Sequence, residues 1–324
     1  MPPNHDPGSA SAAIPAGEPR PERYSSVLAR GIAATRPAFL SVTLVGCLLG
    51  LASASADGVA IAPFSTLLTV LFALVAQAGA NVVNDYHDAV SGADAANTER
   101  LYPFTGGSRF IQNGVISARH MGMFGYGLLA AVIPAGLWLA WQSGPGLIAI
   151  GLAGLFTAWA YSAPPLALMS RGLGEIGIAA GWLLVVVGSD YVQRGSFAFT
   201  PVAAGLSYAL LVANLLFVNQ FPDHAGDAAA GKRTLVVRLG PQTAKWAYLL
   251  IAIVAHGWLI SMVSAWLLPQ NAAAAAITVV LSFSAARELL QHASTPSELG
   301  PAIKRTIVAA NLHGLILAAV LAFS

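Results

Sequence analysis

The feature that most constrains the fold of this chain is a succession of long apolar segments separated by short polar ones. A helix of about 20 apolar residues is long enough to cross the hydrocarbon core of a bilayer. Only 9% of the 324 residues are charged and 56% are hydrophobic, whereas soluble domains carry about 25% charged residues. The chain therefore has too little polar surface to cover a water-exposed globule. We expect an all-α, polytopic membrane protein.

Nine segments have the length and composition of transmembrane helices. Their predicted bounds are residues 37–56, 59–83, 121–141, 144–161, 174–190, 201–221, 244–268, 271–286 and 303–323. Turn-forming residues at 142–146 and 268–271 separate the segments that follow each other most closely. The predicted fold is thus a bundle of nine transmembrane helices over residues 31–324. Residues 1–30, rich in Pro, Ala, Ser and Gly, are expected to form a flexible cytoplasmic tail.

The distribution of Lys and Arg predicts the orientation of the bundle, because cytoplasmic loops are enriched in these residues. With the N-terminus in the cytoplasm, 15 of the 16 Lys and Arg residues fall on the cytoplasmic side, and Arg194 alone falls on the other. We therefore expect a multi-pass protein of the inner (plasma) membrane whose functional groups face the cytoplasm. The single cysteine, Cys47, lies in an apolar segment, which excludes an intrachain disulfide and a Cys-based metal site.

Two aspartate clusters lie at matching ends of two of the apolar segments, about 135 residues apart. The first reads N-D-Y-H-D over residues 84–88 and is followed by Asp94; the second reads D-H-A-G-D over residues 223–227 and is preceded by Asn219. Five of the 14 acidic residues of the chain fall in these two stretches. A carboxylate beside hydrocarbon costs about 2.5–3.5 kcal/mol at a helix centre, so the clusters indicate a binding site.

The spacing within both clusters predicts a metal site. Residues four apart lie on one face of a helix, and four-residue spacing joins Asn84 to Asp88 and repeats twice in the second cluster. Carboxylate and amide oxygens suit Mg²⁺, which is commonly held by one or two carboxylates while substrate phosphates complete its shell. Asp85 lies one residue off the shared face, where it serves either as a further ligand or as a hydrogen-bond acceptor for a neighbour. The candidate metal ligands are Asn84, Asp85, Asp88, Asn219, Asp223 and Asp227.

Basic residues follow both clusters. Arg109 lies in a G-G-S-R stretch after the first cluster, and Lys232 and Arg233 follow Gly231 after the second. A metal together with basic side chains at one polar pocket is the composition expected of a diphosphate-binding site. We predict that these three cations bind a diphosphate.

These motifs resemble those of the UbiA superfamily of intramembrane aromatic prenyltransferases. Residues 84–88 correspond to the family's N-D-x-x-D motif and residues 223–227 to its D-x-x-x-D motif, and the resemblance extends over about residues 35–324. In this family nine helices surround a cavity whose cytoplasmic mouth carries the two motifs. Three further stretches resemble the branch that prenylates 1,4-dihydroxy-2-naphthoate in menaquinone biosynthesis, namely residues 161–165, 172–175 and 231–235.

The resemblance implies Mg²⁺-dependent transfer of a polyprenyl group from its diphosphate to an aromatic acceptor. It implies that Mg²⁺ and the three cations stabilise the departing pyrophosphate. Tyr161 and Tyr86 are the candidates to stabilise the allylic cation through their rings. The acceptor hydroxyl must lose or share its proton to activate the ring, and Asp94 or Asp223 is the expected group that accepts it. The implied partners are a polyprenyl diphosphate, an aromatic small molecule and the lipid bilayer, with no nucleic acid and no protein partner.

Two alternatives remain open at this point. The stretch Q-F-P at residues 220–222 stands where the dihydroxynaphthoate branch has Asn-x-Arg, which leaves 4-hydroxybenzoate, homogentisate or a porphyrin as other acceptors for the same chemistry. A cation-coupled secondary transporter is the alternative from another class. Such a transporter is expected to have broken helices with charges near the middle of the membrane, whereas here the charges cluster at segment ends on one side.

Overall fold

The structure, a computed structural model, describes residues 14–324, and this part of the chain contains helices and loops but no strand. Its α-helices are α1 (Val27–Ala34), α2 (Ser41–Ala56), α3 (Pro63–Ser91), α4 (Ala93–Ala96), α5 (Ala118–Ser143), α6 (Gly146–Ser162), α7 (Gly174–Arg194), α8 (Thr200–Ala229), α9 (Leu235–Leu239), α10 (Pro241–Ser264), α11 (Val279–His292) and α12 (Gly300–Ala322). Short 3₁₀ helices at Pro37–Leu40 and Gln270–Thr278 lead directly into α2 and α11. The all-α prediction is confirmed.

Among the described residues, eight helical segments are long and apolar enough to cross a membrane. They correspond to eight of the nine predicted segments. The ninth, predicted at residues 144–161, forms the apolar helix α6, which is shorter at 17 residues. The helix begins at Gly146 because Gly144, with a positive φ of 117°, and Pro145 form the turn after α5. The predicted count of nine spans is thus not confirmed, although every predicted segment is helical.

Helices α3 and α8 extend well beyond the ends predicted from hydropathy. Segments predicted to end at residues 83 and 221 continue to Ser91 and Ala229. The prediction stopped where polar residues begin, but the backbone remains helical through both aspartate clusters and even through Pro222. Both clusters therefore lie on the last turns of long helices, where four-residue spacing places side chains on one face.

Helix α8 lies at the centre of the bundle and is the most buried of the eight spans. It packs against α2, α7, α10 and α12. Its side chain Tyr208 is fully buried, and the Tyr208 hydroxyl donates a hydrogen bond to the carbonyl oxygen of Val42 at the start of α2. Since α8 carries the second aspartate cluster at its end, the best-packed helix of the molecule positions that cluster.

Close approach of α3 to α5 depends on small residues. A Cβ atom added to Gly125 would lie 2.9 Å from the backbone nitrogen of Val83, and one added to Gly79 would lie 3.1 Å from that of Leu129. Only glycine permits backbones to approach this closely, which is a recurrent way to pack membrane helices. The contact places the first aspartate cluster, at the end of α3, beside the start of α5.

The predicted flexible tail differs from the structure over residues 14–30, and its first 13 residues lie outside the described residues. Residues 14–24, which we name the N-terminal strap, pack on the loop of residues 97–113. Glu18 of the strap is buried and pairs with Arg100 of the loop, and the rings of Tyr24 and Phe110 lie 5.2 Å apart. The composition of residues 14–24 does not predict this contact, because the contact depends on the carboxylate of Glu18 and on an arginine 82 residues later in the sequence.

Candidate functional site

A cavity of about 280 Å³ lies between the helices at the ends of α3 and α8. Its polar end is lined by side chains of both predicted clusters and of the segments that follow them, namely Asn84, Asp88, Asp94, Asn219, Asp223, Asp227 and Lys232. The remainder is lined largely by apolar and small side chains such as Ala73, Ala76 and Ala158. One compartment thus combines a strongly polar end with a largely apolar interior.

Lys232 joins the two aspartate clusters. Its ammonium group donates a hydrogen bond to Asp88 Oδ1 at 2.8 Å and lies 3.5 Å from Asp227 Oδ1. Gly231, with φ of 74°, ends α8, and the Lys232 backbone N–H donates to the Asp227 carbonyl oxygen at 2.8 Å, which turns the lysine back toward the helix. Burial alone would lower the pKa of Lys232, but the carboxylates of Asp88 and Asp227 raise it above its ordinary value. The lysine is therefore a fixed cation between the clusters.

In the first cluster, Asn84 and Asp85 have different surroundings. The Asn84 side chain donates to Asp88 Oδ2 at 3.1 Å and to Ser162 Oγ at 3.0 Å, which links α3 to α6 at the cavity. Asp85 is 2% exposed and does not line the cavity; its Oδ2 accepts a hydrogen bond from the Ser108 backbone N–H at 3.2 Å. Of the two expectations for Asp85, the structure places it as an acceptor for a neighbour.

Gly107 lies directly over this arrangement. Its φ is 72°, and a Cβ atom at this position would lie 2.8 Å from Asp94 Oδ2 and 3.0 Å from Asp85 Oδ1. Both the backbone conformation and the lack of space require glycine. The backbone of the 97–113 loop can therefore approach the carboxylates closely.

In the second cluster, loop donors hold both oxygens of Asp223. Asn97 Nδ2 donates to Oδ1 at 2.5 Å, and the Gly106 backbone N–H donates to Oδ2 at 3.2 Å. Pro222, within α8, lacks the N–H that would continue the helical hydrogen bonds. The side chain of Asp223 is thus oriented by the 97–113 loop as well as by its own helix.

Asp94 also reaches the cavity, from the short helix α4. It is 5% exposed, and its Oδ2 accepts a hydrogen bond from Gln112 Nε2 at 3.1 Å. Burial, with the neighbouring charges of Asp88 and Asp85, raises the pKa of Asp94 well above its ordinary range. Tyr161, the third predicted catalytic residue, lines the same cavity from the end of α6.

The structure does not bring Arg109 or Arg233 to the cavity lining. Arg109 is buried, its guanidinium donates to the Asp94 carbonyl oxygen at 2.5 Å, and its Nε lies 3.8 Å from a carboxylate oxygen of Glu18. Arg233 is exposed, and its backbone N–H donates to the Ser170 carbonyl oxygen at 3.1 Å. Of the three predicted diphosphate-binding cations, only Lys232 lines the cavity.

Arg36 lines the cavity and was not singled out by sequence reasoning. It precedes Pro37, adopts a left-handed conformation with φ of 58°, and its guanidinium donates to the Phe104 carbonyl oxygen at 3.1 Å. The guanidinium carbon also lies 4.4 Å from the centre of the Phe39 ring. In the sequence Arg36 is one of many cations near segment ends, and no spacing to either cluster distinguishes it.

The chemistry of the donor set fits Mg²⁺. The available groups are carboxylate and amide oxygens, and the buried Oδ1 atom of Asn219, which lines the cavity, has no hydrogen-bond partner among residues 14–324. A buried oxygen without a partner is unfavourable, and a cation would satisfy it. Within residues 14–324, no three Asp, Glu, His or Cys side chains converge as a complete metal site. Mg²⁺ does not require three such protein ligands, because diphosphate oxygens and water supply much of its coordination shell.

Comparisons with known proteins show the family to which the chain is similar. A model of the UbiA prenyltransferase family matches residues 40–299. The 1,4-dihydroxy-2-naphthoate octaprenyltransferase of Mycobacterium leprae is 30% identical over 57% of this chain and 61% of its own length. The chain thus spans about three fifths of that relative. The 2-carboxy-1,4-naphthoquinone phytyltransferase of Synechocystis is 28% identical over 89% of this chain and 91% of its own length.

The similar proteins also include one that is named for bacteriochlorophyll synthesis. The bacteriochlorophyll synthase 33 kDa chain of Cereibacter sphaeroides is 28% identical over 60% of this chain and 65% of its own length. Among solved structures, a UbiA homologue from Archaeoglobus fulgidus bound to DMAPP and Mg²⁺ has a TM-score of 0.59 and 16% identity, covering 90% of this chain and 99% of that one. At this identity the likeness shows the fold alone.

Proposed function

The chain belongs to the UbiA prenyltransferase family, and we propose that it transfers a polyprenyl group from a polyprenyl diphosphate to 1,4-dihydroxy-2-naphthoate with Mg²⁺ as its cofactor. One observation carries the proposal. Lys232 lies between carboxylates of both aspartate clusters at the polar end of a cavity that is otherwise largely apolar. Such a compartment suits a substrate with a highly charged diphosphate at one end and a hydrocarbon chain at the other.

The polar end would bind the diphosphate and its metal. We assign Asn84, Asp88, Asn219, Asp223 and Asp227 to hold Mg²⁺, which when bound supplies positive charge to the diphosphate. In the reaction the bond between the prenyl carbon and the diphosphate oxygen breaks, and pyrophosphate leaves with the electron pair. Lys232 and Arg36, the two cations that line the cavity among the described residues, are assigned to pair with this leaving group.

Arg109 and Arg233 have weaker support as diphosphate ligands, since neither lines the cavity. Arg109 is buried, and its guanidinium donates to the backbone carbonyl oxygen of Asp94 outside the cavity lining. We therefore assign Arg109 a structural role in the 97–113 loop. Arg233 is exposed, and we assign it no contact with the diphosphate.

The apolar part of the cavity would bind the isoprenoid chain and shield the allylic cation from water. Tyr161 lines this space, and an aromatic face stabilises a nearby cation. The new carbon–carbon bond forms between the prenyl group and a carbon of the acceptor ring, which then loses its proton. Loop donors occupy both oxygens of Asp223, whereas Gln112 binds only Oδ2 of Asp94. This difference supports Asp94 as the proton acceptor.

A second acceptor class is a porphyrin, which similarity to the bacteriochlorophyll synthase chain supports. The same fold and the same diphosphate chemistry serve both acceptors, so they differ only in the ring that enters the cavity. The simple phenols 4-hydroxybenzoate and homogentisate remain in the acceptor panel below because residues 220–222 depart from the dihydroxynaphthoate branch.

The test is prenyl transfer by the purified full-length protein in lipid nanodiscs. Geranyl diphosphate and Mg²⁺ are incubated with each acceptor, and product is detected by mass spectrometry, with EDTA as the metal-free control. Asp88→Asn and Asp227→Asn are compared with Glu298→Gln, which makes the same acid-to-amide change at an exposed position. We expect product with 1,4-dihydroxy-2-naphthoate that is lost with EDTA and in both aspartate variants but not in Glu298→Gln.

Product formed only with another acceptor would contradict 1,4-dihydroxy-2-naphthoate as the acceptor and leave the proposed mechanism unchanged. Product that is insensitive to EDTA and to both aspartate substitutions would contradict the assignment of the site. A protein that makes no product and binds neither Mg²⁺ nor diphosphate would contradict the proposed function as a whole.

We further propose that this multi-pass membrane protein lies in the plasma membrane with the cavity mouth toward the cytoplasm. The 15-to-1 distribution of Lys and Arg supports this orientation. Labelling of cysteines introduced one at a time at the exposed residues Ser117 and Ser196, in spheroplasts with a membrane-impermeant maleimide, tests it. We expect labelling at position 196 and protection at position 117; the reverse pattern would invert the topology.

A further inference from the structure

The N-terminal strap carries one buried acidic residue, Glu18, far in sequence from both aspartate clusters. Its side chain is 2% exposed. Oε1 accepts a hydrogen bond from Arg100 Nε at 2.7 Å and lies 2.6 Å from Arg100 Nη2, while Oε2 accepts from Asn113 Nδ2 at 3.0 Å. A buried carboxylate bound in this way is costly to disturb, because removing either partner leaves a buried charge without compensation. Glu18 therefore fastens the strap to both ends of the 97–113 loop.

From Arg100, contacts continue to the second aspartate cluster. Arg100 Nη1 donates to the carbonyl oxygen of Asn97 at 2.7 Å, and the Asn97 side chain donates to Asp223 at 2.5 Å. Gly106 packs on the Arg100 side chain so closely that an added Cβ would lie 2.7 Å from Arg100 Cβ. The Gly106 N–H is the second donor to Asp223. Both groups that orient Asp223 thus belong to residues in direct contact with Arg100.

A second set of contacts leads from Glu18 toward the first cluster. Arg109 Nε lies 3.8 Å from Glu18 Oε2, and Arg109 Nη1 donates to the carbonyl oxygen of Asp94. Asn113 also donates to the carbonyl oxygen of Pro19, so that the strap backbone is held together with the Glu18 side chain. The two sets of contacts from one carboxylate end at cavity residues that belong to opposite sides of the site.

We propose that Glu18 is a positioning residue for catalysis, and that the N-terminal strap holds the 97–113 loop in the conformation that orients Asp223 and Asp94. Glu18 does not line the cavity, so it acts only through Arg100, Asn113 and Arg109. The strap thereby contributes to catalysis although it does not line the cavity. The inference rests on the proposed function where activity is measured, and on the structure alone where loop conformation is measured.

The test compares Glu18→Gln with Glu22→Gln in the full-length protein. Glu22 lies in the same strap but is exposed, so the two variants make the same chemical change with and without the buried contacts. Loss of a group that supports metal-binding residues from outside typically weakens metal affinity or activity on the order of 10–100-fold. We expect Glu18→Gln to raise the half-saturating Mg²⁺ concentration and the KM for geranyl diphosphate about tenfold, with a smaller change in kcat. Glu22→Gln should match the wild type, and Glu18→Asp, which keeps the charge, should recover part of the loss.

Hydrogen exchange measured without substrate gives a readout that does not require catalysis. We expect faster exchange at the Gly106 and Ser108 amides in Glu18→Gln and no change in Glu22→Gln. If Glu18→Gln does not fold, Asn113→Ala replaces it; this variant keeps the Glu18–Arg100 pair and should show the same changes to a smaller degree.

Wild-type Mg²⁺ dependence and wild-type exchange in a folded Glu18→Gln protein would overturn the inference. So would a loss of kcat alone, with Mg²⁺ and diphosphate binding unchanged. A wild-type protein that prenylates no acceptor would contradict the proposed function. In that case, amide hydrogen exchange at Gly106 and Ser108, together with stabilisation of the protein by Mg²⁺ and inorganic pyrophosphate, would still decide whether the strap orients the site.

Discussion

Substituting Gly226 with alanine perturbs the contact between α8 and the 97–113 loop without removing any polar group. Gly226 lies between Asp223 and Asp227 and packs against Asn97. A Cβ atom at Gly226 would lie 2.7 Å from the Cα of Asn97 and 2.9 Å from its backbone nitrogen, whereas ordinary contact begins near 3.4 Å. Because the obstruction is backbone, no side-chain rotation relieves it. The loop must therefore retreat by about 0.7 Å.

The expected effect on stability is small and the expected effect on catalysis is large. Overpacking typically costs about 1–3 kcal/mol, while alanine is favoured over glycine within a helix by about 1 kcal/mol. The two free-energy changes largely offset each other, so the variant should remain folded. The displaced group is the Asn97 amide that orients Asp223. A misplacement of about 1 Å can cost on the order of 100-fold in rate, so a shift of this size should lower kcat/KM on the order of 10–100-fold.

The assay is kcat/KM for prenyl transfer from geranyl diphosphate, with the thermal midpoint of unfolding measured on the same preparation. Gly257→Ala is the matched control, since Gly257 also lies within a helix and an added Cβ there has no neighbour within 4 Å. We expect the control to keep wild-type activity with an equal or higher midpoint. A Gly226→Ala protein with wild-type kcat/KM would refute the claim that the loop sets the geometry of the second cluster.

Three further substitutions test other parts of the site and the fold. Lys232→Gln should lower kcat/KM on the order of 100-fold or more, because it removes the cation between the clusters and leaves their carboxylates to repel each other; steady-state kinetics measures this. Arg36→Gln should raise the KM for the diphosphate about tenfold, as expected for one lost charge-assisted contact. Arg233→Gln is the exposed control for both and should change kcat/KM less than threefold, within about 0.6 kcal/mol; a larger loss would restore Arg233 to the diphosphate site. Gly50→Ala should lower the unfolding midpoint by more than about 5 °C, because the added Cβ would collide with a backbone carbonyl of α7. A shift of this size is typical of a loss of a few kcal/mol in a chain of this length. The control Gly127→Ala, which has open space around the added Cβ, should leave the midpoint unchanged.

Hydropathy predicted the helical segments because each one must present apolar side chains to lipid over a fixed length. It was least accurate at the ends of α3 and α8, where the chain remains helical through the aspartate clusters. There the polar residues face a cavity inside the bundle, and a window of average hydropathy cannot distinguish such a face from a loop. The periodicity of four within each cluster contains that information, and it correctly indicated that the oxygens share a face.

Within a single helix, spacing also predicted which side chains meet. Asn84 contacts Asp88, and Lys232, just after the glycine that ends α8, lies 3.5 Å from Asp227 Oδ1. These positions follow from local geometry. The burial of Glu18 does not follow from anything local, since its partners lie more than 80 residues away.

The two predicted arginines that do not line the cavity, Arg109 and Arg233, show where reasoning from sequence reaches its limit. Arg109 was selected because it follows the first cluster in a glycine-rich stretch, but its φ of 66° and the carboxylate of Glu18 direct its guanidinium away from the cavity. Arg36, 48 residues before Asn84, lines the cavity because its own left-handed conformation and the Phe104 carbonyl hold it there. Proximity in sequence limits where a side chain can lie only within one helix or turn. Between segments, the direction of a long cationic side chain is decided by which buried acceptor it satisfies. The diphosphate-binding cations of such a bundle should therefore be sought among arginines and lysines that no buried carboxylate of the surrounding loops has already paired, and Arg36 meets that condition where Arg109 does not.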